Sequence, residues 1–424
     1  MKERLSAVLG RYWRLLVLLP AAVFYLHHWA VTPPAVTGRF STYMQPASEL
    51  LRGGYSGVET LRRTPVYPLL LAGTLAVSGG SLKALTLLQH LLALLTAWLV
   101  MDIAFILWRS RAAAALAGAL TAFHPDLLYY ARAVESELPA VFLLCLMLWL
   151  LTRLLADPAR PAKLAAAAGL AGGAAALCRP ELAVCALVPP LLLARGAGGL
   201  KRAGLFFAPF AALVGLWMVR NLAVFGYFSL SPMGAVTSLQ TSGPLIDWDA
   251  PSHREFKALY RGLLAERGGD HRAVVNLAVE RWPGGTQQAL LEAAALGRET
   301  AFAHPLAYLR AALPNFADFL RSVDDDSPGD EGAGREAGGK APGFRPPGLL
   351  YLALLGLAAA AFAAPSPGLW LAAFCALAVT AANCLVEIGI GRRSFELLPL
   401  LALFAGYLAA LPAAMRRRFP DRTR

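Results

Sequence analysis

Apolar runs long enough to cross a lipid bilayer recur along most of this 424-residue chain. A hydrocarbon core about 30 Å thick requires about 20 predominantly apolar residues of α-helix. The chain is 57% hydrophobic and only 16% charged, whereas an average soluble domain is about 25% charged. The sequence therefore predicts an all-α polytopic membrane protein, since no water-soluble fold of this length favours such a composition.

About ten apolar runs are candidates for membrane spans, and several of them are shorter than about 18 residues. They are residues 13–32, 84–107, 111–123, 137–157, 163–178, 181–195, 203–221, 347–364, 368–387 and 396–412. A further apolar piece, 66–79, begins beside two prolines and ends in Ser78-Gly79-Gly80. We interpret it as a re-entrant or juxtamembrane helix in the outer leaflet.

Clusters of Lys and Arg in the short loops indicate the orientation, because such residues concentrate on the cytoplasmic side. With about ten spans, all the strongly basic short loops fall on one side: Lys2, Arg4, Arg11, Arg14, Arg109, Arg111, Arg153, Arg160, Lys163, Arg195, Lys201, Arg202, Arg416, Arg417 and Arg418. We therefore predict a bacterial inner-membrane protein with both termini in the cytoplasm. The net charge of +12 is a topology signal, and no nucleic-acid partner is indicated.

The spans and the regions between them suggest four parts. They are an amino-terminal transmembrane module, 1–221, with an outer loop 33–65; an extracytoplasmic helical region, 222–322; a linker, 323–345; and the carboxy-terminal spans with a basic tail, 346–424. The linker is rich in Gly, Pro and acidic residues, a composition that cannot bury a core. All five cysteines lie within or at the ends of apolar segments, so neither a disulfide framework nor a zinc site is indicated.

The outer loop carries two adjacent arginines, Arg62 and Arg63, directly before Thr64-Pro65. Guanidinium groups pair with phosphate oxygens in a bidentate manner, so this is a suitable place to hold a lipid phosphate. The alternative is that these side chains merely snorkel at the interface. We favour a phosphate role for Arg63, because arginines on the outer side oppose the usual charge bias.

A second polar group, His124-Pro125-Asp126 to Ala140, places Asp126, Glu135 and Glu137 at the entry of a span. Carboxylates near a membrane interior are costly unless they are paired or functional. Glu137 is the better functional candidate because apolar chain follows it directly, whereas Glu135 could simply be solvated. In the alternative, Glu137 favours the dipole at its helix amino terminus.

Further cations fall on the same predicted face of the membrane. They are Arg179, Arg220, Arg392 and Arg393. Cations that converge from separate helices suit an anionic lipid headgroup.

These motifs occur in a fixed order along the chain. The residues are Tyr43, Ala47, Leu50, Arg63, Pro65, Tyr67, Pro68, Ser136-Glu137-Leu138, Arg179-Pro180, Trp217, Arg220-Asn221, Phe225-Gly226, and Arg392 or Arg393 with Pro399. Taken together, the chain resembles the GT-C membrane glycosyltransferases, particularly the bacterial relatives of dolichyl-phosphate-mannose protein mannosyltransferases and the aminoarabinose transferase of lipid A. The resemblance covers most of the membrane region.

One position departs from the family pattern. Four residues before Tyr43, where the family usually carries an acidic residue, this chain has Arg39. Arginine can neither deprotonate an acceptor hydroxyl nor hold a metal ion. The carboxylates that could substitute are Glu49, Glu59, Asp126 and Glu137. Alternatively, Arg39 adds to the phosphate-binding set and the protein binds a glycolipid without reacting it.

The resemblance implies a transferase that moves a sugar from a polyprenyl-phosphate donor to a lipid or cell-envelope glycan acceptor at the periplasmic face, with membrane lipids as further partners. The candidate catalytic residues are Glu137, Asp126 and Glu49, and the candidate donor-phosphate ligands are Arg63, Arg39, Arg220 and Arg393. The metal requirement is unknown, and a divalent metal ion stays an open alternative. A noncatalytic glycolipid-binding protein or a lipid-linked sugar transporter is the alternative function, although few charges lie in mid-span, which counts against transport.

Overall fold

The computed structural model describes residues 12–157, 159, 161–195, 198–324, 348–386 and 395–418. This part of the chain is α-helical and forms no β-strand; an isolated bridge joins Ala35 in the outer loop to Ala133. Four of its helices are long and apolar enough to cross a membrane. The prediction of an all-α polytopic membrane fold is therefore confirmed, while the count of ten spans stays a prediction.

The first half of the chain contains eleven α-helices. They are α1 Leu15–Val31, α2 Phe40–Leu51, α3 Glu59–Arg62, α4 Val66–Ser78, α5 Leu82–Trp108, α6 Arg111–Ala122, α7 Pro125–Arg132, α8 Glu137–Ala156, α9 Lys163–Ala176, α10 Pro189–Leu193 and α11 Gly199–Phe225.

The described residues of the second half contain nine more. They are α12 Met233–Ser242, α13 Arg254–Glu266, α14 His271–Arg281, α15 Thr286–Ala303, α16 Pro305–Asp324, α17 Leu349–Ala363, α18 Pro367–Val386, α19 Leu398–Gly406 and α20 Leu411–Arg418.

The four long apolar helices are α5, α8, α11 and α18, and shorter apolar helices occupy most of the other predicted spans. The run 181–195 is divided: it forms a 3-10 helix, Pro180–Ala186, and the five-residue α10. Prolines at the starts of these pieces lack the N–H that a continuous helix needs, so the backbone cannot stay regular there. Helix α4 has 13 residues, which is about 20 Å and shorter than the hydrocarbon core.

Small residues allow the membrane helices to approach closely. A Cβ atom at Gly169 of α9 would lie 2.0 Å from the backbone oxygen of Phe206 in α11. A Cβ atom at Gly356 of α17 would lie equally close, at 2.0 Å, to the backbone oxygen of Phe404 in α19. Glycines at such crossings are typical of membrane helix packing, because van der Waals contact rather than water exclusion holds the helices together.

Helices α12 to α15 form a compact unit with its own hydrophobic core, built around Leu239, Tyr260 and Leu290. The following helix, α16, lies against the end of α18, where Asn315 donates a hydrogen bond to the Cys384 carbonyl oxygen at 3.0 Å. This unit corresponds to the predicted extracytoplasmic helical region. Residues 323 and 324 of the predicted linker end α16, and residues 325–345 lie outside the described part.

Candidate functional site

Helices α2 and α4 meet the start of α8 through one buried tyrosine. Tyr43 of α2 lies 2.9 Å, hydroxyl to hydroxyl oxygen, from Ser136. Its ring packs edge-on against Tyr67 of α4, with 4.9 Å between ring centroids. Tyr43 lies on the buried side of α2, and it joins three elements that are distant in sequence. Burial raises the pKa of the Tyr43 hydroxyl, so it stays protonated near neutral pH.

Arg63 is held against α2 by three contacts. Its Nε donates to Thr42 Oγ1 at 3.0 Å and its Nη1 donates to the Tyr43 hydroxyl at 3.3 Å. The guanidinium carbon lies 4.5 Å from the centroid of the Tyr43 ring. These bonds use two of the five N–H donors of the guanidinium. The structure thus fixes the position of the arginine that the sequence favoured as a phosphate ligand.

A second, buried cation also acts on Tyr43. Arg179, between α9 and the 3-10 helix, contacts the carboxylates of Glu137 at 2.6 Å, Glu181 at 2.8 Å and Glu396 at 2.5 Å. The side chains of Arg179 and Glu137 are only 8% and 3% exposed. Asn383 of α18 donates to Glu396 at 3.3 Å. One guanidinium therefore joins α8, the 3-10 helix and the residues that precede α19.

The sequence singled out Glu137 and the Arg179-Pro180 turn but did not predict that they pair. Glu137 occupies the first turn of α8, as the helix-dipole alternative expects, and one of its oxygens also binds Arg179. Its Oε2 atom has no hydrogen-bond partner within the described ranges. Glu137 is thus both a structural ion-pair partner and a carboxylate with one oxygen that the described residues leave unbonded.

Glu135 is buried, with 6% of its surface exposed, so the interpretation of Glu135 as a solvated residue was wrong. The bridge between Ala35 and Ala133 brings the outer loop beside this segment. Burial, reinforced by the charge of Glu137, raises the pKa of Glu135 to about 7. A hydrogen bond with Thr37 and the charge of Arg39 oppose this rise.

Arg39 immediately precedes α2 and is half-buried. Its charge stabilises the ionised form of Glu135. At the position where the family usually has an acid, this chain therefore places a cation close to buried carboxylates. The charges of Arg39 and Arg179 both act on Glu137 in the first turn of α8.

The other two predicted catalytic residues, Glu49 and Asp126, contact residues that are close to them in sequence. Glu49 accepts hydrogen bonds from the backbone N–H groups of Ser56 and Gly57, at 3.1 and 2.9 Å, and so closes the loop after α2. Asp126 begins α7, where its Oδ2 is 3.8 Å from Nδ1 of His124. The catalytic roles of Glu49 and Asp126 stay predictions.

Arg220 connects the outer loop to α11. Its Nη2 donates to Thr60 Oγ1 at 2.6 Å and to the Tyr55 carbonyl oxygen, and its Nη1 donates to Asn221 at 2.8 Å. The guanidinium also lies 4.8 Å from the Trp217 ring centroid. The phosphate role of Arg220 stays a prediction, and Arg393 lies outside the described residues.

Gln89 is a buried polar residue that the sequence analysis missed. Its side-chain nitrogen donates to the carbonyl oxygens of Ala133 at 2.7 Å and Tyr130 at 3.1 Å, and its oxygen accepts from the Tyr67 hydroxyl at 3.1 Å. These bonds fix the segment that carries Glu135. A polar side chain inside the apolar run of α5 was the available signal, because such residues are costly in a membrane unless they are bonded.

Metal binding was left open by the sequence. Within the described residues, no group of three or more His, Cys, Asp or Glu side chains is arranged to hold a metal ion. Two carboxylates of the site, Glu137 and Glu396, instead contact Arg179. A divalent metal ion stays an open alternative, as in the sequence analysis.

Comparison with known proteins gives one family match. The family model described as dolichyl-phosphate-mannose-protein mannosyltransferase matches residues 62–222, a range that includes Arg63, Glu137 and Arg179. No curated protein sequence matches the chain.

Among solved structures, the chain is similar to the oligosaccharyltransferase of Archaeoglobus fulgidus tethered with an acceptor peptide. The TM-score is 0.57 at 14% identity, and the match covers 97% of this chain and 51% of that one. The archaeal oligosaccharyltransferase AglB in complex with an inhibitory peptide and a dolichol-phosphate gives a TM-score of 0.53 at 14% identity, over 98% of this chain and 53% of that one. The chain thus spans about half the length of these proteins. ArnT from Cupriavidus metallidurans bound to undecaprenyl phosphate gives a TM-score of 0.39 at 16% identity, over 96% of this chain and 79% of that one.

Proposed function

We propose that the chain, which is similar in fold to an oligosaccharyltransferase and matches a mannosyltransferase family model over residues 62–222, transfers a sugar from a polyprenyl-phosphate donor to a lipid or cell-envelope glycan acceptor. The reaction takes place at the periplasmic face of a bacterial inner membrane, with both termini in the cytoplasm. The presence of dolichol-phosphate in the complex of AglB supports a polyprenyl phosphate as the lipid carrier of the sugar.

The observation that carries the proposal is the arrangement around Tyr43. Its hydroxyl accepts a hydrogen bond from Arg63 at 3.3 Å and lies 2.9 Å from the hydroxyl of Ser136, the residue before Glu137. A fixed guanidinium and a buried carboxylate, Glu137, therefore both act on this one residue. Transfer of a sugar from a phosphate needs this combination, a cation for the leaving group and a base for the acceptor.

Arg63 and Arg39 hold the donor phosphate in this proposal. When the acceptor oxygen attacks the anomeric carbon, the bond from that carbon to the phosphate oxygen breaks, and the polyprenyl phosphate leaves with the electron pair. Guanidinium groups fixed before the reaction stabilise the charge that develops on this leaving group. Arg63 fits the role because its contacts with Thr42 and Tyr43 hold it in place.

Glu135 takes the proton from the acceptor hydroxyl. Its pKa of about 7 suits a general base that works near neutral pH. Glu137, whose second oxygen is not bonded within the described part of the chain, is the alternative base, and Asp126 and Glu49 stay further candidates. Arg179 keeps Glu137 and Glu396 in place.

A noncatalytic glycolipid-binding protein is the second candidate function. Arg39 favours it, because this cation stands where the family usually carries an acid and its charge acts on the buried Glu135. Both candidates share the donor-phosphate site, whereas only the transferase requires the base.

Binding of polyprenyl phosphate to the purified protein in nanodiscs tests the shared site. Arg63→Ala is expected to weaken binding about tenfold or more, because a charged hydrogen-bonding group is lost. Arg63→Lys is expected to recover part of the affinity, since an ammonium keeps the charge but not the planar fork. Arg62→Ala is the matched control, because Arg62 pairs with Glu59 at 3.0 Å. Equal affinities for wild type and Arg63→Ala would overturn the assignment.

A further inference from the structure

An open apolar groove lies between α1 and α5, on the outside of the helix bundle. It has a volume of about 380 Å³ and is lined by Leu18, Ala22, Leu94, Leu95 and Trp98. The neighbouring side chains of Leu19 and Leu91 are 62% and 50% exposed. Such exposed apolar surface on membrane helices faces hydrocarbon, so the groove opens to lipid.

A charged cluster lies at one end of this groove. Arg14 is one helical turn before Leu18, and Asp102 is one turn after Trp98. The Arg14 Nη2 is 2.6 Å from Asp102 Oδ1, and the Arg153 Nε is 3.9 Å from Asp102 Oδ2. The two guanidiniums share this carboxylate, so the three side chains carry one surplus positive charge.

Both arginines of the cluster remain accessible. The side chains of Arg14 and Arg153 are each 35% exposed, whereas Asp102 is 9% exposed. Trp149 donates a hydrogen bond to Asp102 Oδ2 at 2.8 Å and packs 5.5 Å from Trp98, centroid to centroid. Tryptophans are enriched at the membrane-water interface, so this pair suits the charged end of the groove. A phosphate in the headgroup layer could therefore reach both guanidiniums.

The cluster is separate from the candidate functional site. Glu137 begins α8 and Arg153 lies in its last turn, which places about 24 Å of helix between them. The groove and its arginines therefore belong to the opposite face of the membrane. They take no part in the proposed sugar transfer.

We propose that this groove binds an anionic phospholipid, with one acyl chain against Leu18, Leu95 and Trp98 and the phosphate against Arg14 and Arg153. The apolar lining suits the chain, and the surplus positive charge suits an anionic rather than a zwitterionic headgroup. Guanidinium groups also provide paired N–H donors that match phosphate oxygens. The lipid bridges α1, α5 and α8 at the face that the basic loops assign to the cytoplasm.

Native mass spectrometry with phosphatidylglycerol and phosphatidylcholine of identical acyl chains tests the headgroup. The wild type is expected to retain phosphatidylglycerol more strongly, and Arg153→Gln to lower that retention about tenfold while the Arg14–Asp102 pair persists. Arg111→Gln is the matched control, because Arg111 is an exposed arginine at the start of α6 on the same face. Equal losses in the two variants, or equal retention of the two lipids, would overturn the proposal.

A second variant tests the groove without changing any charge. Ala22→Phe fills the space beside Leu18 and is expected to lower the retention of both lipids. Unchanged retention of phosphatidylglycerol in Ala22→Phe would show that the acyl chain lies elsewhere. The donor site proposed around Arg63 is intact in Arg153→Gln, so this variant is expected to retain polyprenyl phosphate like the wild type. An equal loss of polyprenyl phosphate and phosphatidylglycerol in Arg153→Gln would contradict a separate phospholipid site.

Discussion

The Arg179 guanidinium lies 2.6 Å from the Glu137 carboxylate, and both side chains are more than nine-tenths buried. Glu396 shares the same guanidinium at 2.5 Å. Charges removed from water are stable only when they are paired and hydrogen-bonded. These contacts therefore fix the start of α8 relative to Glu396, just before α19, and with it the position of Ser136 beside Tyr43.

Replacement of Arg179 should destabilise the fold strongly. Arg179→Gln leaves buried carboxylates without a counter-charge, which is expected to cost about 3–5 kcal/mol. Thermal unfolding in detergent provides the measurement. Arg281→Gln is the control, because it breaks an exposed ion pair with Glu266 and should cost less than about 1 kcal/mol. A similar small change in both variants would show that the buried network is not a main source of stability.

The pH dependence of donor binding should report on Glu135. Its pKa is raised to about 7, so the side chain gains its negative charge as the pH rises through 7. That charge repels the donor phosphate, and affinity for polyprenyl phosphate is expected to fall over this range. Glu135→Gln should remove this part of the pH dependence, leaving only the titration of the phosphate itself, whose second pKa is about 6. Identical pH profiles for wild type and Glu135→Gln would contradict the placement of Glu135 near the donor.

Cysteine labelling tests the orientation with little background, because all five native cysteines are buried. A membrane-impermeant maleimide is expected to label Gln287→Cys in α15 on intact spheroplasts. Arg111→Cys should be labelled only after permeabilisation, since basic short loops stay in the cytoplasm. Both introduced positions are exposed. The reverse pattern would place the candidate site on the cytoplasmic side.

Loss of Arg220 should loosen the outer loop. Its guanidinium bonds to Thr60 at 2.6 Å and to the backbone oxygen of Tyr55, so Arg220→Ala removes the connection between this loop and α11. We expect faster proteolysis near Gly53 and Gly54 than in the wild type, measured by limited digestion in detergent. An unchanged digestion rate combined with weaker binding of polyprenyl phosphate would instead favour the phosphate role predicted from the sequence.

Much of the membrane architecture follows from local pattern. The apolar runs at α5, α8, α11 and α18 could be predicted from the sequence, because a bilayer requires each spanning helix to be long and apolar by itself. The division of 181–195 was not predicted. The average hydropathy of this run stays high because its apolar residues outweigh the prolines, whereas the continuity of a helix depends on backbone N–H groups that proline lacks.

The sequence by itself determined the all-α membrane class, since composition and run length are local properties of the chain. It also suggested a phosphate role for Arg63, which stays a prediction, and it singled out Arg179. Only the tertiary structure decided the partners of these residues. Arg63 meets Tyr43, and Arg179 meets Glu396, across separations in sequence of about 20 and more than 200 residues. The pKa of Glu135 likewise depends on the tertiary structure, because burial raises it and Thr37 and Arg39 of the outer loop act on it. Contacts of this kind depend on how helices pack, and a one-dimensional pattern does not specify that packing.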